Sequence, residues 1–356
     1  MNQLKLLKKI YKSLANEKVR AGCLLLCEKL NIRKDILRLD TNNLCNIECI
    51  MCGTKTSGND KSSKRIMTFD EYKKIIDYFG RKTRLLYLSC RFEPFMTPDM
   101  EKYIAYAKSI GIPFVSLCSN MMLINDKIIK CLVDQKIDEI ILSINGYSEE
   151  NYNRIMYKSN FQIVMNNLKK ITDYKRQMNS QYPKIRINTI LMKSNILEFD
   201  KLIEIVHEYD VDLIRFIPLR EHDYPNDPNE SKKEEISNIP TDILDKVKSN
   251  IISMINELKQ EGISVTIPAS FINTGASTEK RKINNKSCCF PYYHYGIRHN
   301  GEVEACIRDP RGIMGNFFTD DIKTMMKNRS IFRKMALTGK CNIDVCATNT
   351  EIPDVI

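Results

Sequence analysis

The sequence predicts an α/β fold: a parallel sheet laid down by six strand-helix repeats, with a smaller cysteine-bearing unit behind it. Three observations carry that expectation. Between residues 36 and 218, short β-rich runs alternate with amphipathic helical stretches, the order that right-handed crossovers need to join parallel strands. After residue 218 the period breaks into a polar, proline-containing stretch, REHDYPNDPNESKKEE, which reads as an exposed connection. The 13 cysteines concentrate at 45–52 and 288–346. A chain of 356 residues suits one large α/β domain with an appendage, and 43% apolar residues with only 13 Gly and 12 Pro exclude a disordered, collagen-like or low-complexity chain.

Residues 1–35 form a basic helical extension. Nine Lys or Arg stand against three acidic residues in 1–36, and Leu4, Leu7, Ile10, Tyr11 and Leu14 fall at helical spacing opposite the lysines. Such a helix packs its apolar stripe on the next domain, although the same pattern describes a helix lying on a membrane or on nucleic acid. Cys23 and Cys27 read as buried thiols of that packing. Strands are expected at 36–41, 84–89, 113–118, 138–144, 184–191 and 212–217. Thr68 with Glu71, ahead of Tyr72, Ile75, Ile76 and Phe79, makes a capping box; Gly80 ends that helix, and Thr97-Pro98-Asp99 starts another. The core spans 36–218. Residues 219–285 are a linker with a helix near 241–260 and a strand near 264–267, and 286–356 form the C-terminal unit. No apolar run of about 18 residues and no signal peptide is evident, so a cytoplasmic chain with no transmembrane segment and no nucleic-acid partner is expected.

In a reducing compartment, and with a core this large, 13 cysteines are not a disulfide framework; metal or redox chemistry explains them better. Cys45, Cys49 and Cys52 form Cys-x3-Cys-x2-Cys in the loop after the first strand. Three close thiolates are a soft ligand set for zinc or an iron-sulfur cluster. A structural zinc site closes its shell with a fourth local ligand, and none is near, the histidines being His207, His222, His294 and His299. Three ligands on a four-iron cluster leave one iron open for chemistry.

At these residues the sequence resembles the radical S-adenosylmethionine (SAM) superfamily, whose signature is this spacing at the end of the first barrel strand. The resemblance covers roughly residues 36–218. It implies a partial (β/α)6 TIM-like barrel and a 4Fe-4S cluster whose open iron is chelated by SAM. One electron, from an external donor such as flavodoxin or ferredoxin, cleaves SAM to a 5′-deoxyadenosyl radical. Reacting groups of such barrels gather where strands end. Met51, before the last cysteine, stands where the family has an aromatic residue whose backbone lies near the adenine. Ser89-Cys90-Arg91-Phe92-Glu93-Pro94 follows the second strand where the family commonly has Gly-Gly-Glu-Pro, which implies that Glu93 holds the SAM ammonium. Asn120 after the third strand and Ser143 at the fourth match positions for the ribose or methionyl end. The arginine that often pairs with the SAM carboxylate falls at Met156 by spacing, leaving Arg154 or Lys158 as substitutes. Read without the resemblance, Glu93 is a solvated loop carboxylate, and Asn120 and Ser143 are turn or cap residues.

The second set is Cys288 or Cys289, Gly301-x4-Cys306, and Cys341-x4-Cys346. It resembles the Twitch or SPASM extension of radical SAM enzymes, with thiolates enough for one auxiliary 4Fe-4S cluster; four thiolates also satisfy a structural zinc site. An adjacent thiol, Cys90 or Cys118 is open as a hydrogen-atom donor. The leading expectation is an enzyme that takes hydrogen from a carbon of a sugar or aminocyclitol-like molecule and oxidises an alcohol, with the auxiliary cluster as electron acceptor. Arg91, His222 and Tyr224 lie on suitable loops for a base, and none is assigned. Alternatives are a peptide maturase or epimerase with a Cys hydrogen donor, and a non-enzymatic iron-sulfur or zinc protein.

Overall fold

In the computed structural model, which describes residues 17–53, 64–89, 91–219, 227–272, 287–307 and 309–339, strands and helices alternate as the pattern requires. The strands are β1 (Asp35–Leu39), β2 (Thr83–Leu88), β3 (Phe114–Ser119), β4 (Glu139–Ser143), β5 (Lys184–Leu191) and β6 (Leu213–Pro218). Helix α1 (Glu17–Lys29) precedes them. Between them lie α2 (Phe69–Phe79), α3 (Met100–Ser109), α4 (Asp126–Asp134), α5 (Glu149–Ile155), α6 (Phe161–Gln177), α7 (Lys193–Ile196) and α8 (Phe199–Glu208). The remainder holds α9 (Pro228–Lys233), α10 (Thr241–Gln260), β7 (Ser264–Thr266), α11 (Ala269–Ile272), β8 (His294–Ile297), β9 (Glu302–Glu304), β10 (Ile313–Asn316) and α12 (Ile322–Leu337).

One sheet runs β10-β9-β8-β1-β2-β3-β4-β5-β6-β7. Strands β1 to β7 are parallel, and this partial barrel gains strands at both edges of the expected six. The 219–285 stretch supplies β7 beside β6, and β8 pairs in parallel with β1 before the antiparallel β8-β9-β10 meander turns away.

Alternation along each strand separates two environments. Leu37, Leu86, Leu117, Ile140 and Ile187 point outward and are fully buried under the helices. Ile36, Leu85, Tyr87 and Ile141 point into the lumen, whose floor is closed by Ala21 and Leu24 of α1 and by Phe290 and Tyr292. Polar ties fix that floor. The Glu17 carboxylate accepts from the Cys289 amide at 2.9 Å, Arg333 of α12 reaches Glu28 at 3.1 Å, and Lys34 bridges Asp35 at 2.6 Å and the Tyr292 carbonyl at 2.9 Å.

Local expectations fared unevenly. The α2 capping box forms, with the Glu71 amide donating to Thr68 Oγ1 at 3.2 Å and the Thr68 amide to Glu71 at 2.9 Å. The start of α3 differs: its cap, Asp99, has a left-handed backbone and makes no side-chain cap bond, while Thr97 is buried against Thr41 (2.7 Å) and Asn42 (2.8 Å). Thr97 joins two loops instead of capping a helix. Cys23 is exposed and Cys27 half-buried, correcting the expectation of two buried thiols. The buried face of α1 is set by Ala21 and Leu24, and two positions on from Ala21 the helix has turned Cys23 to the far side. Residues 1–16 lie outside the described residues, as do Cys90, His222, Tyr224, Cys341 and Cys346. Among the described residues no helix is long and apolar enough to cross a membrane.

Leu86→Ala, in the fully buried outward layer, should lower the unfolding free energy by about 2–5 kcal/mol. Leu30→Ala, at a residue 61% exposed, should change it by less than about 0.5 kcal/mol. Urea unfolding of both variants measures the difference, and equal losses would contradict the layer assignment.

Candidate functional site

Three loops at the C-terminal ends of β1, β2 and β3 meet around one carboxylate. Glu93, in the loop after β2, is buried, 2% exposed. Its oxygens accept from Ser119 Oγ (2.8 Å), the Asn120 amide (2.8 Å) and the Phe95 amide (3.3 Å). Its backbone amide donates to the Leu44 carbonyl at 3.0 Å, and its carbonyl accepts from Asn42 Nδ2 at 3.0 Å, which stitches it to the cysteine loop. Asn120 closes the triangle by donating to Asn46 Oδ1 at 2.8 Å, with its amide nitrogen 3.9 Å from Cys45 Sγ. Burial lifts the Glu93 carboxyl to about 7, against the hydrogen bonds that pull it down. No salt bridge reaches it among the described residues.

The cysteine loop is anchored on both sides. The Glu48 amide bonds the Tyr157 carbonyl (2.8 Å), the Ile50 amide the Ile155 carbonyl (3.0 Å), and the Ile50 carbonyl accepts from the Asp227 amide (3.0 Å). Cys45, Cys49 and Cys52 are thereby held close enough to act on one another electrostatically. Burial pushes the Cys45 thiol up to about 11, with Glu93 and Cys52 adding to the effect, and burial also raises Cys49, with Cys52 and Cys45 adding. A metal supplies the positive charge that turns such thiols into thiolates. Among the described residues no three Cys, His, Asp or Glu side chains converge on one point as single-ion ligands do.

The other sequence-derived residues fall in distinct places. Ser143 ends β4 with its hydroxyl 3.7 Å from Cys118 Sγ, which faces the lumen beside Tyr87 and Ile141. Met51 is buried, its side chain within the main core. Arg154 turns away from the cysteines to Glu234, at 2.6 Å, and Glu230, at 3.7 Å. Met156 takes the place beside them instead: its sulfur lies 3.5 Å from Cys49 Sγ and 3.2 Å from Asn145 Nδ2. Lys158 pairs with Glu48 at 2.7 Å. Arg91 binds Glu304 of β9 at 2.6 Å, and Arg298 approaches the same carboxylate at 3.2 Å, a tie between the barrel mouth and the C-terminal meander. Gly296 permits it, since a Cβ there would stand 2.7 Å from the Glu304 side chain.

In the C-terminal segment Cys306 is buried after β9, its Cβ 3.1 Å from where Gly312 would carry one. The Cys288 amide donates to the Ala336 carbonyl at 3.0 Å, which sets Cys288 against the last turn of α12. Cys289 is buried in the lumen floor.

Sequence reasoning missed Ser119 as a partner of Glu93, and it missed the charged lumen: Arg38, Glu139, Arg186 and Arg215 all sit on inward positions. The available signal was a charged or polar residue at every second position of an otherwise buried strand, as at Lys184, Arg186 and Asn188 in KIRINTIL.

Residues 40–215 match the family model described as the Radical SAM superfamily. Among curated proteins the chain is similar to a probable GTP 3',8-cyclase of Methanocaldococcus jannaschii, 23% identical over 276 residues, 76% of this chain and 84% of that one. Of other GTP 3',8-cyclases that it matches, the chain spans about half the length, 55% in two cases. Among solved structures it resembles Streptococcus suis SuiB bound to S-adenosylmethionine, with a TM-score of 0.62 and 15% identity over 89% of this chain and 70% of that one. It also resembles anSMEcpe with bound AdoMet, with a TM-score of 0.57 and 16% identity over 86% of this chain and 83% of that one. At such identities the solved structures speak for the fold: a partial barrel with a C-terminal antiparallel extension. Through residues 40–215 the chain belongs to the radical SAM superfamily of enzymes.

Proposed function

We propose that the chain abstracts hydrogen from a carbon of a small polar molecule in the lumen and oxidises it, an alcohol carbon of a sugar or aminocyclitol-like compound becoming a ketone. The observation that carries the reading is a loop of three cysteines set against a buried carboxylate, Glu93, that three hydrogen bonds satisfy without a cation. In this reading Cys45, Cys49 and Cys52 hold a 4Fe-4S cluster and Glu93 receives the SAM ammonium, the positive group its burial calls for. Asn120 and Ser143 receive the ribose and methionyl ends, Met51 lends its backbone, and Arg154 stays with Glu234. Cys306 and Cys288, with Cys341 and Cys346, hold the auxiliary 4Fe-4S cluster, and Cys289 packs the floor. When bound, the first cluster and SAM would supply a hydrogen-abstracting radical, and the second an acceptor for the electron given up by the substrate, whose hydroxyl proton would pass to water. The chain's own part is positional: Ser116, Ser143 and Asn188 line the lumen with groups that orient hydroxyls.

A second reading, epimerisation or modification of a peptide, is favoured by Cys118. Burial keeps that thiol protonated, up to about 11, and its place next to Ser143 suits a hydrogen-atom donor. Solved neighbours include SuiB bound to precursor peptide SuiA and anSMEcpe bound to the Cp18Cys peptide. The lumen's closed floor and dense polar lining favour the small molecule.

Oxygen-free protein reconstituted with iron and sulfide, then given SAM and dithionite, should form 5′-deoxyadenosine and carry about eight irons per chain. Replacing Cys45, Cys49 and Cys52 together by Ala should abolish the product and leave about four irons. A wild type that forms none, or holds zinc in place of half its iron, would contradict the reading.

Glu93→Gln tests the carboxylate separately. Losing a charge-assisted hydrogen bond should weaken SAM binding about ten- to a hundredfold by calorimetry. The folded carboxyl, lifted to about 7 by burial, binds its proton more tightly than in the unfolded chain, so wild-type stability without cluster or SAM should fall as pH rises from about 4 through 7. Glu93→Gln removes that slope. Cluster-free variant should therefore melt above wild type at pH 8 and level with it near pH 5; a parallel offset at both would contradict a buried titrating carboxyl.

A further inference from the structure

Opposite the middle cysteine of the first loop stands a methionine that the proposed chemistry leaves without a role. Two backbone bonds, from the Glu48 amide to the Tyr157 carbonyl (2.8 Å) and from the Ile50 amide to the Ile155 carbonyl (3.0 Å), run the cysteine loop antiparallel to the end of α5. They bracket Cys49 and Met156 as the pair between two rungs, the position at which facing side chains stand closest. The side chains do meet there. Met156 Sδ lies 3.5 Å from Cys49 Sγ, and Met156 is 1% exposed.

The thioether is also aimed by a second partner. Asn145 Oδ1 accepts from the Ile190 amide at 2.8 Å, which fixes the orientation of that side-chain amide and leaves its Nδ2 as the group 3.2 Å from Met156 Sδ. Asn145 is itself held through its carbonyl by Asn195 Nδ2 at 2.9 Å. Gly146 lets α5 come this close to the loop after β4, since a Cβ there would stand 2.4 Å from the Tyr152 amide. The cations two positions to either side are drawn off to carboxylates, Arg154 to Glu234 at 2.6 Å and Lys158 to Glu48 at 2.7 Å. What the end of α5 presents to Cys49 is therefore a neutral sulfur. Cys45 is treated differently, with the Asn120 amide nitrogen 3.9 Å from its Sγ.

A thioether has no charge and no N–H or O–H, so it gives a neighbouring thiolate neither a hydrogen bond nor a positive charge. Both would stabilise the extra electron of a reduced iron-sulfur cluster, whose potential follows its net charge and the hydrogen bonds to its sulfurs. We infer that Met156 is a positioning residue that acts through Cys49: it fills the space against Cys49 Sγ that a donor side chain could take, and so keeps the first cluster strongly reducing. The inference rests on the radical SAM reading of the same loop and adds to it the residue that sets the potential.

The test is a redox titration of the reconstituted protein without SAM, followed by electron paramagnetic resonance. SAM is added afterwards, and the signal that responds to it marks the first cluster. Met156→Gln brings an amide N–H to the same sulfur and Met156→Arg a guanidinium. Both should move the midpoint potential of that signal upward, Arg further than Gln. Met156→Leu fills the space with neither sulfur nor donor and should keep the wild-type potential. Iron content should match wild type in all three. Should the Arg variant lose iron, the comparison of Gln with Leu decides the question by itself. Equal potentials in wild type and Met156→Gln would overturn the inference. So would a Leu variant that shifts as far as the Gln variant, since packing alone would then account for the change. Wild type in which no signal responds to SAM sinks the underlying radical SAM reading instead, so the two failures are distinguishable.

Discussion

The buried Glu93 carboxylate is the constraint around which the mouth of the barrel is arranged. Its side chain accepts from β3 through Ser119 and Asn120, its backbone is tied to the cysteine loop through Leu44 and Asn42, and Asn120 reaches back to that loop through Asn46. Three strand ends are thus registered against one another by a group that burial keeps poorly charged. Hydrogen bonding alone does not offset the cost of burying a carboxylate, which is why its proton affinity stays high. The arrangement makes sense as a seat prepared for a cation, with the cysteines fixed at its side.

The same period of two that builds the core also builds the chemistry. Strands β1 and β3 to β5 present leucine, isoleucine or valine to the helices and at least one serine, cysteine, asparagine or arginine to the lumen, while β2 turns Leu85 and Tyr87 inward, so the apolar layer holds the polar one in register. The floor is sealed by α1 and the Phe290–Tyr292 turn, and the mouth is left to the loops. The meander β8-β9-β10 does not stand apart from this scaffold: β8 continues the sheet at β1, and Glu304 ties it to Arg91 at the mouth. Cys306, just after β9, is therefore carried on the same sheet as the first cysteine loop.

Much of this was legible in the chain itself. Six strands, their parallel order and the capping box at Thr68 follow from local periodicity and cap chemistry, and local rules suffice because neighbouring residues decide them. The Cys-x3-Cys-x2-Cys spacing is likewise local. What escaped depends on partners far away in sequence. Arg154 is claimed by Glu234, Thr97 is held by Thr41 and Asn42, and the added strands β7 and β8 find their edges only once the barrel exists. Cys23 shows the converse limit, since four-residue spacing places two thiols on one face without saying which face is buried.

The central claim is that the loop of Cys45, Cys49 and Cys52 carries a cluster with one open iron and that SAM occupies it beside Glu93. Electron-nuclear double resonance on the dithionite-reduced protein, with SAM labelled by 15N at its amino group, tests this most directly. The account predicts a nitrogen hyperfine coupling to the cluster that is present in wild type and absent when the three cysteines are replaced by Ala. A reduced cluster that shows no 15N coupling in the presence of saturating SAM would contradict it.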